Sequence, residues 1–336
     1  MLMWPQVSLC MNLLLDLVVG ILWVLKLPKI LSRTNKLLRP ILTFGIVGVI
    51  SLLMASFRFS PAEITVGAMY LLRWIVYSSL AGVVIQSIEV LPLVGIGTAI
   101  LGILQYIIIP DVRFLETWGW DPHYYRIVGA LLDPGFTGLI LVLTLIYLVI
   151  NNYKKVWWVI VYLALALTYS RASYLAFFTA FTWISIQKKN WKYSVLSFLI
   201  LGITIVVLPR YSSGEGVKLE RSSTIYARIA SWKKAWEIFS DNPIIGVGFN
   251  TYRYAQKAAP ESHAGAGADS SLLLVMATTG IVGLLFYLKY LKVLWKLSTQ
   301  HLALSTSLIA IFVHSFFLNS LFYPAVMLWI ALLIPV

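Results

Sequence analysis

Apolar runs recur along the whole chain, at about 7–26, 41–57, 64–87, 91–110, 132–150, 156–169, 172–186, 193–209, 270–290, 302–318 and 321–335, separated by short polar segments. This pattern predicts an all-α fold: a polytopic integral membrane helix bundle of about 11 transmembrane helices, forming a single membrane domain over residues 1–336. Residues 156–186 must cross twice between NNYKK and QKKNWK, so each pass has only about fifteen residues and is short or tilted. One stretch breaks the apolar rhythm. Residues 210–269 are expected to form a large extracytoplasmic loop. Within it, TIYARIASWKKAWEIF predicts a short amphipathic helix, because Ile225, Ile229, Trp232, Trp236 and Phe239 fall within about 80° of one another on a helical wheel. Arg228 and Lys233 flank that stripe, which suits either a membrane surface or a lid packed on the bundle.

Charge sets the orientation. The chain carries 26 Lys and Arg against 13 Asp and Glu, a net +13 that would suit nucleic acid if it formed a patch. It does not: segments 26–40, 151–155, 187–192 and 289–300 hold Lys and Arg and no acidic residue. With eleven spans all four fall on the cytoplasmic side, and 111–131 and 210–269 lie outside. No nucleic-acid partner is expected. Lys26 and Lys29 follow the first apolar run and no basic residue precedes it, the pattern of a retained helix with its N-terminal end outside rather than a cleaved signal. The single cysteine, Cys10, excludes an internal disulfide and a cysteine-based metal cluster.

Few polar residues then remain as candidates for chemistry. Arg73 lies mid-span in AMYLLRWIVYSS, where a cation needs a partner or a wet cavity, and Asp16 is available to pair with it. Asp133 and Pro134 have the form of a helix start, a cap rather than a base. Arg126, Arg171 and Arg228 all fall on the outer face, each either an interfacial anchor or, together, a set of planar guanidinium forks that suits a diphosphate. His263 and Asp269 in the outer loop could each accept a proton from a sugar hydroxyl; the plainer alternatives are a solvated surface histidine and an Asp269 that caps the helix beginning at Ser270 or Ser271. Gly280 and Gly283 suit close packing. No Asp-x-Asp, HExxH, P-loop or nucleophile elbow is present, so neither metal nor cofactor is expected.

YLLRW, RIVGALLDPGFTG, the TYSRASY turn, RIASWKKAWEIFSDNPIIGVGFNTY and VHSFFLNSLFYP, in that order over roughly 64–335, resemble the O-antigen ligase and polysaccharide polymerase superfamily of bacterial membrane glycosyltransferases. In that superfamily the outer loop ends in His-(Asn/Ser/Gln), nine residues, then Gly-x-x-Gly. Here Asp269-Ser270 precedes nine residues and then Gly280 and Gly283, so aspartate stands where the superfamily has histidine. The resemblance implies transfer of a glycan from an undecaprenyl diphosphate carrier to a sugar hydroxyl, at the outer face of the bacterial cytoplasmic membrane, without metal or nucleotide sugar. It implies as partners the lipid-linked glycan, a sugar acceptor, membrane lipids and a chain-length regulator.

The aspartate leans the expectation toward polymerisation of lipid-linked repeat units, with ligation of finished glycan to a lipid core as the alternative. A flippase or transporter would show paired repeats and mid-membrane charge, and a non-catalytic assembly subunit would carry the fold with a dead site.

Overall fold

A computed structural model describes residues 5–32, 36–81, 89–210, 215–256 and 266–334. Helices occupy every apolar segment: α1 (Pro5–Ile30), α2 (Leu38–Ala55), α3 (Pro61–Ser79), α4 (Val90–Ile108), α5 (Pro134–Ile150), α6 (Lys155–Ala166), α7 (Arg171–Gln187) and α8 (Lys192–Val207). After α9 (Ser223–Asp241) and the short α10 (Tyr252–Ala255) come α11 (Ser271–Ser298), α12 (Leu302–His314) and α13 (Pro324–Leu333).

The expectation of about 11 full spans needs correction. Among the described residues only α2, α4 and α11 are long and apolar enough to cross a membrane by length and composition; α5, α6, α8, α12 and α13 are apolar helices of 10–17 residues. Local chemistry cuts them short. Asp133 accepts from Phe136 N at 2.8 Å and, with Pro134 behind it, starts α5. Tyr169, at φ 51°, separates α6 from α7, whose cap Ser170 accepts from Ser173 N at 3.3 Å.

The chain divides into two compact units, Met1–Gln86 with Ala227–Leu297 and Leu321–Val336, and Ser87–Tyr226 with Ser298–Ser320. In the first, Phe44, Trp74, Tyr287 and Phe322 form an aromatic core in which Tyr287 and Phe322 stack at 5.3 Å. Arg73 on α3 pairs with Asp16 on α1, Tyr77 donates to the same carboxylate at 2.9 Å, and the guanidinium lies 4.9 Å from the centre of the Tyr70 ring. This is the structural partner expected for Arg73.

α11 in the first unit is broken at Gly280, whose φ of 65° and ψ of −167° are not helical. The segment Pro243–Gly248 docks into the break: Val247 N donates to Ala277 O at 3.1 Å, Gly248 N to Thr278 O at 3.0 Å, and Ile281 N to Pro243 O at 2.8 Å. Ser51 of α2 adds a bond to Thr278 O at 2.7 Å and one to Ile245 O at 2.9 Å. Backbone groups released by the break are thus satisfied inside the protein, which is what a discontinuous helix requires in an apolar medium.

In the second unit α5 is buried on every residue from Thr137 to Val149, as a helix apolar on all sides should be at the centre of a bundle. α4, α6, α7 and α12 pack around it.

Candidate functional site

The polar end of the second unit is built from the loop between α4 and α5, the α6–α7 turn and the segment leading into α9. An isolated bridge between Asp111 and Tyr124, with Val112 N donating to His123 O at 3.0 Å, folds the first loop back on itself. Ile127 N then donates to Leu167 O at 2.9 Å and Val128 N to Gln105 Oε1 at 3.0 Å, pinning the two residues that follow Arg126.

Arg126 is buried, only 9% exposed, and its Nε donates to Thr168 O at 2.9 Å. No hydrogen bond from its two terminal nitrogens occurs among the described residues. The 3₁₀ turn Glu215–Val217 lies against its stem: a Cβ on Gly216 would come 2.9 Å from Arg126 Cδ, so a side chain there would press on the guanidinium arm. Arg171, the first residue of α7, donates through Nη1 to Leu219 O at 3.2 Å and Arg221 O at 3.0 Å, while its Nη2 is buried without a partner among the described residues. Arg221 donates to Gly216 O at 2.7 Å, Lys218 O at 2.9 Å and Thr224 Oγ1 at 2.9 Å, so residues 215–224 wrap around two guanidinium groups.

Electrostatics at this end favour an anion. Burial first and Arg221 second push the Arg126 pKa down to about 9, against the pull of Asp133 and Asp121, and the group remains charged at neutral pH. His123 is pushed down to about 3 by burial, then by Arg126 and Arg221, and is neutral. Burial raises Asp133 although Phe136 N and Arg126 favour its charged form, and raises Asp121 against Arg126. Arg126 is thus a buried cation with the Arg221 charge in reach, while burial disfavours the charged forms of Asp133 and Asp121, an arrangement that a phosphate group would relieve.

The other expected residues lie in the first unit. Arg228 stands on α9, one turn before Ser231 and Trp232, which fix the backbone of Asp269: its N–H donates to Ser231 Oγ at 3.0 Å and its carbonyl accepts from Trp232 Nε1 at 3.1 Å. Ser270 takes the cap position of α11, accepting from Leu273 N at 3.5 Å. Tyr252 is pushed up to about 12 by burial first and then by the Asp269 carboxylate, whose charge it feels. Ala235 and Ile238 of α9 pack into a core with Val247, Ala268 and Ala277, whereas Ile229 and Trp236 (54% exposed) are open. His263 lies outside the described residues.

Arg126 and Arg171 therefore share the second unit with Arg221, which the sequence reading passed over; Arg228 and Asp269 belong to the first. A second constellation went unread: His314 Nε2 lies 3.2 Å from Ser173 Oγ and its Nδ1 2.6 Å from Ser320 Oγ, all buried where α12 meets α7. Its available signal was a histidine within an apolar run. No group of three His, Cys, Asp or Glu side chains among the described residues could hold a metal ion.

No curated protein matches the chain. Residues 156–288 match the Wzy_C family, O-antigen ligase, a stretch that takes in Arg171, Arg221, Arg228, Asp269 and the break at Gly280. With its apolar helices this is a membrane-associated protein. Over residues 156–288 it belongs to the O-antigen ligase/polymerase superfamily.

Proposed function

We propose that the protein is a membrane glycosyltransferase that moves a glycan from an undecaprenyl diphosphate carrier to a sugar hydroxyl, and that its reaction is ligation of a finished glycan to a lipid core or a comparable acceptor. One observation carries this reading: buried Arg126 offers a terminal guanidinium fork with no hydrogen bond among the described residues, and in the same unit Arg171 has a buried Nη2 likewise unpartnered among them. Such a corner receives a diphosphate without the cost of stripping water from the cations anew. As the acceptor oxygen attacks the anomeric carbon, the bond from that carbon to the phosphate oxygen breaks. The lipid diphosphate leaves with the electron pair, and the acceptor proton passes to a base. Arginines stabilise the charge growing on the leaving group.

Asp269 favours a second reading, polymerisation, because it stands where the superfamily has histidine. In either reaction it orients the acceptor hydroxyl, its backbone being held by Ser231 and Trp232. His263 is the alternative base.

Purified protein given a lipid-linked glycan with a lipid core in one vessel, and with further lipid-linked units in another, should glycosylate the core. Growth of lipid-linked chains alone would assign polymerisation instead. Movement of intact lipid across a vesicle membrane with no new glycosidic bond would exclude both.

A further inference from the structure

His314, the last residue of α12, is fully buried within the second unit, where an imidazole needs a partner for each ring nitrogen. Ser173 meets Nε2 and Ser320 meets Nδ1. The roles of these atoms follow from a third group. Ser173 Oγ also lies 3.1 Å from Gly135 O, and a carbonyl can only accept, so the one hydroxyl proton of Ser173 belongs to that bond. Ser173 Oγ therefore receives from its two other neighbours, His314 Nε2–H and, at 2.8 Å, the hydroxyl of Ser170. With the ring proton on Nε2, Nδ1 is the acceptor for Ser320 Oγ–H.

These bonds converge on two helix starts. Gly135 O belongs to the first turn of α5, Ser170 caps α7 and Ser173 stands in its first turn. The two helices approach closely here: a Cβ on Gly138 of α5 would come 2.4 Å from Ser173 Oγ and 3.3 Å from Thr168 Oγ1, so the bare backbone at 138 admits both side chains. From Ser170 the order passes to Arg126. Ser170 N donates to Thr168 Oγ1 at 3.2 Å, Thr168 Oγ1 donates to Leu165 O at 2.7 Å, and Thr168 O accepts from Arg126 Nε. The carbonyl that orients the guanidinium thus sits in a turn that Ser173 and His314 hold from the other side.

We infer that His314 is a positioning residue for Arg126: through Ser173 it fixes the first turn of α7 against that of α5, and so fixes the direction of Thr168 O. It touches no substrate. The catalytic task of Arg126 rests on the glycosyl-transfer reading above; its placement by His314 does not. Buried bonds of this kind also hold helices together in any bundle, and the two nitrogens separate that role from positioning. The Nε2 arm leads to Arg126. The Nδ1 arm leads to Ser320, six residues on, and anchors the end of α12.

Two amide side chains tell the arms apart, since glutamine places its amide near the position of Nε2 and asparagine near that of Nδ1. His314→Gln keeps a donor for Ser173 and should retain kcat within about twofold. His314→Asn keeps an acceptor for Ser320 and should lose kcat about tenfold or more with KM little changed, because the misplaced guanidinium acts on the leaving group in the transition state. Ser173→Ala removes the same bond, should match His314→Asn, and carries the test if the asparagine variant does not accumulate. Steady-state kinetics in nanodiscs, with a lipid-linked glycan and a lipid-core acceptor, measures all three. In an Arg126→Lys background, which lacks the Nε–H that Thr168 O receives, His314→Asn should cost less than about twofold more. Equal losses in His314→Gln and His314→Asn, or a full tenfold loss that persists in Arg126→Lys, would reduce His314 to packing and overturn the inference.

A second readout needs no turnover. Deuterium exchange should quicken at the amides of Ile127, Ser170 and Tyr174 in His314→Asn and not in His314→Gln, because they bond to Leu167 O, Thr168 Oγ1 and Ser170 O in the turn that His314 holds. If the parent protein transfers no glycan while exchange responds in this way, the glycosyltransferase reading falls and the positioning of Arg126 stands. If the parent transfers glycan and His314→Asn matches it in both readouts, the positioning falls and the reading stands.

Discussion

A guanidinium held at 9% exposure with a single side-chain hydrogen bond among the described residues, as Arg126 is, is stable in that place only if another group meets its charge. If that group is the donor diphosphate, Arg126→Ala lowers kcat/KM about 100-fold or more and Arg126→Lys about tenfold, because lysine keeps the charge and loses the fork. Steady-state kinetics on variants that accumulate normally in the membrane measures this, and near-normal rates for Arg126→Ala would make it a structural anchor. In the same loop, His123 is neutral in the fold with its pKa near 3 and takes up a proton more readily once unfolded, where an ordinary value is about 6.5. Its contribution is therefore fully present above about pH 6.5 and lost as pH falls from there toward 3; His123→Phe should flatten the acid side of the thermal stability profile between pH 6.5 and 5. For Asp269, Asp269→Asn should remove most turnover and Asp269→His restore part of it, with His263→Ala milder; full activity of Asp269→Asn beside inactive His263→Ala would move the role to His263. The Asp133 cap was legible because a capping residue before proline is a local signal. Arg221 was not: its bonds to Gly216, Lys218 and Thr224 shape a turn that no periodicity announces.

At the scale of elements, apolar periodicity located each helix, and it failed at what happens inside or between them. α11 reads as one continuous run, yet it breaks at Gly280, and only contact with residues 243–248, more than thirty positions earlier, explains why. A Cβ at Gly280 would overlap Ile244 O, and φ of 65° is unfavourable for any L side chain, so Gly280→Ala should destabilise the first unit by about 3 kcal/mol. Ser51→Ala, which strips a donor from two carbonyls, should cost about 1–2 kcal/mol. In the buried Ser173–His314–Ser320 cluster the bond from Ser173 to His314 joins residues 141 positions apart, a separation no spacing rule reaches. His314→Ala should lower stability by about 2 kcal/mol through those lost bonds. Denaturant titration in detergent, followed by tryptophan fluorescence, ranks all three variants; a silent Gly280→Ala would mean the break is tolerant of a methyl group.

Across the whole molecule, the one-sided distribution of Lys and Arg predicts that cysteines at Thr117 and Ser213 react with an impermeant thiol reagent added outside, and one at Lys189 does not. The reverse pattern in permeabilised cells would invert the orientation and detach the arginine corner from the outer leaflet. Apolar runs placed the helices but not their lengths, and the expected eleven crossings reduce to three helices of crossing length among the described residues: run length counts apolar residues, whereas the helix ends where a cap or a positive φ stops it, as at Ser170 and Tyr169. The docked segment at Gly280 has one more consequence, visible in time rather than in space. Val247 and Gly248 lie outside any helix, and Ile281 and Val282 follow a break, yet all four amides are bonded to carbonyls of the opposite strand of the joint. Their protons should exchange with deuterated solvent as slowly as those at the centre of a helix, opening only when α11 and residues 243–248 separate together.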